Sequence, residues 1–299
     1  MKKKICFYVI GAFLLAFLFV PSECRALSWQ ELHDKAEGLD MQQALAALAG
    51  DEDGTESLFI AGIACLNAYD NAAAETYFRR ILAGDPLNIQ ARWGMAECYR
   101  RQYKFDESVR IIDLLLKEAP DYAPAYLTWA YIQYLRMDFK GAARIAALVI
   151  NRGRRRVDLN SFVRAHSIYA GAKGMIAHYA GPLSKAVNGS AVIRHLKIAA
   201  RYAPDHPAVL FGYGSYYLLI PPLLGRNVDK AIDYLERAVR KDPGFVDIYV
   251  RLAQAYKLRG DIKRYNEYLD KALELDGRNI VARDVKDGTC RFICVEITD

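Results

Sequence analysis

TESLFIAGIACLNAYDNAAAETYFRRILAGDPLN, residues 55–88, runs straight into IQARWGMAECYRRQYKFDESVRIIDLLLKEAPDY, residues 89–122. Laid in register, the two lines are one pattern printed 34 residues apart. Gly62 is answered by Ala96, Ala74 by Ser108, Phe78 by Ile112, Ile81 by Leu115 and Pro86 by Pro120. Ala130, Ala142, Ala146 and Val149 carry a third copy at the same offset. A fixed period in small and large apolar residues is the mark of a stacked helical repeat.

The residue types explain why the repeating unit is a pair of helices. Small residues are needed where two helices cross closely, and large ones fill the groove between them. Gly62, Ala96 and Ala130 are the small residues of the first helix of each unit, and Ala74, Ser108 and Ala142 those of the second. Phe78, Ile112, Ile81, Leu115 and Val149 follow on the same face at helical spacing. Pro86 and Pro120 close their units, because proline cannot continue the helix before it. One pair cannot bury its own apolar face, so neighbours must stack on it.

At these positions the chain resembles the tetratricopeptide repeat family. In residues 88–122 the matching residues are Met95, Ala96, Tyr99, Phe105, Ser108, Ile112, Leu115 and Pro120. In residues 245–277 they are Tyr249, Leu252, Ala253, Tyr256, Gly260, Leu269, Ala272 and the run Ala272-Leu273-Glu274-Leu275-Asp276. Tyr265 stands there where a small residue is usual, and Gly277 where proline is usual, which marks a looser or terminal unit. The resemblance covers residues 55–277 and implies an all-α fold: a right-handed solenoid of antiparallel helix pairs, about six units. It is specific for fold and says little about function.

With 299 residues and 53% hydrophobic content the chain is able to bury a continuous core, and the repeats make that one elongated domain. The formal charge of +6 overstates its basicity. Without residues 1–26 there remain 37 basic and 34 acidic side chains, too balanced for nucleic acid as the main partner.

Residues 1–26 read as a secretory signal. Lys2, Lys3 and Lys4 precede an apolar run from Ile5 to Val20, Pro21 breaks it, and Cys24 and Ala26 supply small residues for cleavage before Leu27. The alternative is a retained anchor, but 16 residues fall short of the roughly 20 that a span needs. The expected location is periplasmic or secreted, an oxidising compartment, with Cys65, Cys98, Cys290 and Cys294 in the mature chain. Cys65 and Cys98 read as small core residues. Cys290 and Cys294 sit in a tail that looks extended, where roughly 13 Å would separate them; a bond between them requires a turn.

Residues 27–54 read as an N-terminal helical cap over the open face of the first repeat. It holds two short helices, opened by Ser28 with Glu31 and by Asp40 with Gln43 at capping-box spacing. After the third repeat come Arg152, Arg154, Arg155 and Arg156, either a solvated helix end or a contact for an anionic lipid or acidic partner. The fourth and fifth units are stretched. Residues 180–189 and 220–227 read as long linkers inside their helix pairs, neighbours on one edge of the solenoid. Asn188-Gly189-Ser190 is a glycosylation triplet. Residues 278–299 form the end of the last helix and a tail.

Compact catalytic signatures are absent: no G-x-S-x-G, H-E-x-x-H, phosphate loop or C-x-x-C occurs. The five histidines lack metal-ligand spacing, and neither cofactor nor metal is expected. What remains is recognition. The resemblance implies that the first helix of each unit lines a concave groove. Its exposed positions, mapped by the 34-residue register, are Phe59, Ile63 and Asn67; Trp93, Glu97, Arg100 and Arg101; Leu127, Tyr131, Tyr134 and Leu135; and Phe211 with Ser215. Trp93, Glu97, Arg100, Arg101, Tyr131, Tyr134 and Phe211 are the candidates for binding, since Trp, Tyr and Arg carry most interface energy. The expected function is an exported, non-catalytic scaffold holding a protein or peptide of the cell envelope in that groove, with membrane contact only through a retained signal. The alternative is a periplasmic small-molecule carrier. Pro221-Pro222 and Gly225 before Asp229-Lys230-Ala231 locally resemble the repeat subunit of tripartite ATP-independent periplasmic transporters, and a closed pocket beside residues 220–227 would favour it.

Overall fold

The structure is a computed structural model that describes residues 27–295; the expected signal segment lies outside the described residues. Among these residues there are fifteen α-helices and no strand. They are α1 (Trp29–Glu37), α2 (Met41–Gly50), α3 (Thr55–Asn67), α4 (Asn71–Gly84), α5 (Ile89–Arg101), α6 (Phe105–Glu118), α7 (Ala123–Leu135), α8 (Phe139–Ile150), α9 (Leu159–Tyr179), α10 (Pro182–Tyr202), α11 (Pro207–Leu219), α12 (Val228–Lys241), α13 (Val246–Leu258), α14 (Ile262–Leu275) and α15 (Ile280–Lys286). From α3 to α14 they pair in sequence into six antiparallel units stacked as a solenoid.

Local chemistry sets where each helix starts. Asp70, Asp138 and Asp261 open α4, α8 and α14 by accepting the N–H of the third helical residue, and Asn88 and Asn279 do the same for α5 and α15. Each such cap contributes about 1 kcal/mol. Both capping boxes at α1 and α2 are present. The short turns inside the first three units and the last place one residue in the left-handed region. Tyr69 (φ 63°), Tyr103 (φ 62°) and Met137 (φ 66°) take it in the first three units, and Gly260 (φ 82°) in the last. A tyrosine there costs roughly 1 kcal/mol that a glycine would not.

The small-residue period corresponds to real crossings. A Cβ added to Gly62 would lie 2.6 Å from the Phe78 ring, and one added to Gly94 would meet the same ring at 2.6 Å, so Phe78 is gripped between the first two units. Ala96, Ala130 and Ala142 are fully buried, and Ser108 spends its hydroxyl on the Ala96 carbonyl at 2.7 Å.

Three expectations are corrected. Residues 180–189 are not a linker. After Ala180 and Gly181 the chain re-enters a helix at Pro182, so α9 and α10 are 21 residues each against 12–14 in the neighbouring units. Proline suits the first turn of a helix, where its missing N–H has no partner to lose. Asn188 therefore lies within a helix, buried, bonded to Ser184 and Lys173, and is no open glycosylation acceptor. Nor is the tail extended. Residues 289–295 turn back on themselves with Cys290 and Ile293 at positive φ, and a Cys290–Cys294 disulfide closes the turn. Residues 220–227 are a loop as expected, with a 3-10 turn over Pro222–Leu224 and left-handed Gly225.

The N-terminal cap reaches across the inner face to the fourth unit. α1 packs on α3 and also on α9. Asp34 accepts the Leu159 N–H at the start of α9 at 2.9 Å, and Glu37 joins Asn67 of the first unit to Asn160 of α9.

Candidate functional site: the inner face of the coil

The inner face is built from α3, α5, α7, α9, α11 and α13, and its N-terminal part holds α1. His33 of α1 is 2% exposed, with ring centroids 5.0 Å from both Phe59 and Trp93, and its Nε2 is 2.7 Å from the Tyr122 hydroxyl. Trp29 packs edge-on against Tyr122 at 5.2 Å. Burial, then the charge of Arg164, push the His33 pKa down to about 3, so the imidazole is neutral at physiological pH. Arg164 is the shared charge of this region. Its field also opposes the burial that raises the Glu37 and Asp158 carboxyls, and adds to the burial that pushes His206 down to about 4.

Next along the face is a charge node. Trp93 Nε1 donates to the Thr128 hydroxyl at 3.0 Å, and that hydroxyl donates to Glu97 at 3.0 Å. Arg100 holds Glu97 through two bonds of 2.9 and 2.6 Å, and Arg101 adds one of 3.2 Å. Burial alone would raise the Glu97 carboxyl; the two arginines overcome it and hold it below the ordinary carboxylate range. Arg100 lies over the Tyr131 ring at 5.0 Å and Arg101 over the Tyr69 ring at 5.1 Å.

From there the face is bridged to the C-terminal units by tyrosine hydroxyls. Tyr69 donates to Asp242 at 3.0 Å, Tyr103 to Asp276, and Tyr131 to Asp247 at 3.1 Å. Gly244 is required at the first bridge, where a Cβ would come within 2.2 Å of the Tyr69 ring. The left-handed tyrosines of the turns thus project the side chains that close the coil.

Residues 289–295 fill the space beyond. Phe292, 1% exposed, stands 5.9 Å from Tyr134 and 6.2 Å from Phe139. Its carbonyl accepts from Arg251 at 3.1 Å, and the Ile293 carbonyl from Gln254 at 2.8 Å. Asp284 accepts the Phe292 N–H at 2.7 Å, the Arg291 N–H at 3.0 Å and the Thr289 hydroxyl at 2.5 Å. Those bonds overcome its burial and lower its pKa.

The residues singled out from sequence therefore lie on the inner face but already have partners within the chain. Trp93 and Glu97 are buried; Arg100, Arg101, Tyr131 and Tyr134 are part-buried in the contacts above. Phe211 packs on Phe245 at 5.0 Å, away from the node. Phe59, Ile63, Leu127 and Leu135, expected to be exposed, are core: Phe59 and Ile63 belong to the cluster that α1 helps to build, and Leu127 packs with Val157 and Phe162. Asn67 bonds Glu37, and the Ser215 hydroxyl is buried with no partner. Sequence reasoning missed His33, Tyr122, Arg251, Gln254 and Asp284. Only the last three leave a trace, as polar residues among the apolar ones of α13 and α15.

His166 and His195 meet at 3.0 Å between Nδ1 atoms, while His178 meets Tyr179 edge-on at 4.9 Å. Among the described residues no group of three or more His, Cys, Asp or Glu is placed to hold a metal.

A chain of stacked helix pairs around a concave face is an α-solenoid. Residues 66–129 match the sequence profile of the tetratricopeptide repeat family, and the fold of the chain is that of tetratricopeptide-repeat solenoids. A thermophilic repeat protein of Thermus thermophilus is 20% identical over 68% of this chain and 98% of its own, with a TM-score of 0.54. A tetratricopeptide repeat protein from Parabacteroides merdae is 14% identical over 86% of this chain and 96% of its own, with a TM-score of 0.52. The APC/C hetero-tetramer Cut9–Hcn1 is 15% identical over 86% of this chain and 47% of that one, with a TM-score of 0.55. No curated protein matches the sequence. The fold is that of scaffolds which work by protein–protein interaction.

Proposed function

We propose that this chain is an exported scaffold, without catalysis, that binds a protein or peptide segment of the cell envelope along its inner face. The observation that carries the reading is how residues 289–295 sit there: one aromatic side chain seated between Tyr134 and Phe139, and two main-chain carbonyls taken by Arg251 and Gln254. Side-chain anchoring with main-chain hydrogen bonds is a way a groove holds a peptide segment. An external segment would use the same donors after displacing the tail, and Arg100, Arg101, Tyr131 and Tyr134 continue that surface toward the N-terminal units. Export is supported by the pattern of residues 1–26 and by the Cys290–Cys294 disulfide. The carrier reading has less support, since Leu223 and Leu224 of the 220–227 loop stand in solvent, 98% and 73% exposed, rather than lining a closed pocket.

The test is a photo-crosslinking residue at Tyr134 or Ile293 in cells, followed by mass spectrometry of the envelope. A discrete crosslinked polypeptide is expected, reduced by Gln254→Ala. Crosslinks only within the chain would overturn groove binding. Amino-terminal sequencing of the recovered protein should begin at Leu27; an intact Met1 would remove the cleavage reading.

A further inference from the structure

The charge of this chain is sorted along its length. Residues 27–138 hold eighteen carboxylates against ten Lys or Arg, whereas residues 139–228 hold thirteen Lys or Arg against two carboxylates, Asp158 and Asp205. Of those two, Asp158 is buried and Asp205 is paired with Arg237.

The same basic segment carries the overhang of the solenoid. α10 ends at Tyr202, just before a short turn into α11, as the second helices of other units do. Fourteen residues, the length of α4, α6, α12 and α14, reach back from there only to Gly189. Residues 182–188 therefore stand beyond the edge by about 10 Å at 1.5 Å per residue. Leu183 and Val187, four apart on one face of that overhang, are 81% and 63% exposed. Gly212 of α11 lies against Leu196 of α10, and this antiparallel register brings the Pro222–Leu224 turn alongside the overhang. Leu223 and Leu224 are on that turn. Among the described residues five large apolar side chains are more than 60% exposed; four are at this end, and the fifth, Leu87, is in a loop on the opposite edge. Lys185 and Arg226 neighbour the four in sequence, with no carboxylate between residues 206 and 228 or between 159 and 204; the next one, Asp229, is paired with Arg259.

We infer that this tip is a docking surface for an anionic lipid bilayer. Leucines on a protruding, cation-ringed end suit the boundary between headgroups and acyl chains: the apolar side chains enter it and the cations meet the headgroup phosphates. A nucleic acid would satisfy the cations and leave the four apolar side chains in water, so its chemistry fits only half of the surface.

The test uses the full chain carrying Leu223→Cys, labelled with an environment-sensitive dye, and a second chain carrying Leu87→Cys. With Cys6 and Cys24 replaced by Ser in both chains, Cys65 and Cys98 buried and Cys290 bonded to Cys294, the label goes to the introduced thiol. Vesicles of phosphatidylglycerol with phosphatidylcholine are compared with phosphatidylcholine alone. The dye at position 223 is expected to brighten and shift blue on the anionic vesicles only, with position 87 unchanged. Lys185→Glu with Arg226→Glu should weaken vesicle affinity at least about tenfold, and Leu183→Ser with Val187→Ser should do so without changing the thermal melt. Equal responses at positions 87 and 223, no response at 223, or an equal response on neutral vesicles would overturn the inference. So would a change at 223 that follows protein concentration without vesicles, which would make the tip an interface between copies.

Discussion

Two stretches of this chain lie against its own inner face, and they are held by different means. α1 is held chiefly by rings: Trp29 and His33 against Phe59, Trp93 and Tyr122 of the first core cluster. Residues 289–295 are held chiefly by hydrogen bonds to Asp284, Arg251 and Gln254, with the single aromatic Phe292. Apolar burial is lost whole when such a helix leaves, because water offers nothing in exchange. Hydrogen bonds are exchanged for bonds to water at a net cost near 1 kcal/mol each. The comparison makes α1 part of the folding unit and the tail a segment that can be replaced.

Trp93→Ala should have the largest effect, about 3–5 kcal/mol lost from global stability in urea, with α1 and the first three units unfolding together. A loss under about 1 kcal/mol would mean that α1 is a loose appendage. Asp284→Ala comes next. It should cost about 2–3 kcal/mol of local stability, because the carboxylate takes several bonds to the tail. Hydrogen exchange should speed up in residues 289–295 and stay unchanged in α3–α8; faster exchange in both would tie the two seats together.

The third prediction is a pH effect that separates the seats. The His33 pKa is depressed to about 3 by burial, so the unfolded chain takes up a proton below pH 6.5 that the folded chain refuses. Its stabilisation is full above pH 6.5 and falls as the pH drops toward about 3, amounting to about 2 kcal/mol lost at pH 5. Asp284 is lowered from an ordinary 3.8, so its contribution is intact above that value and declines only below it. Between pH 6.5 and pH 4 the α1 seat should weaken while the tail seat holds, as read by exchange at Trp93 and Phe292 amides. His33→Phe should reduce the slope of the urea midpoint over that range, leaving the part due to His206 and His166, which burial also pushes down to about 4; an unchanged slope would remove His33 as a cause. The smallest effect is expected for Tyr69→Phe, about 1 kcal/mol, seen as faster exchange near Asp242 alone.

The fold was legible where contacts recur within one period. Phe78 between Gly62 and Gly94 is a local fact, repeated often enough to read. The start of α10 was misread because Gly181-Pro182 and Asn188-Gly189 are ordinary turn formers, yet Pro182 opens a helix and Asn188 bonds back to Ser184 within it. The inner face was half legible. Its residue types pointed to Trp93, Arg100 and Tyr131; Arg100 meets Glu97 three residues away and Trp93 meets Thr128 one repeat on, but Tyr131 meets Asp247, 116 residues along the chain. His33 and Tyr122 are 89 residues apart, and Tyr69 and Asp242 173 apart. No periodicity encodes such a pair, because it depends on the accumulated bend of every unit between them.

One consequence follows from the spacing of the bridges. Tyr69 and Tyr103 are 34 residues apart, as are Asp242 and Asp276, so both bridges span the same 173 residues. The closure is therefore a ruler that counts the repeats between its jaws. A chain with one unit more or fewer in the middle would meet its far end one notch out of step, with a tyrosine and an aspartate left over.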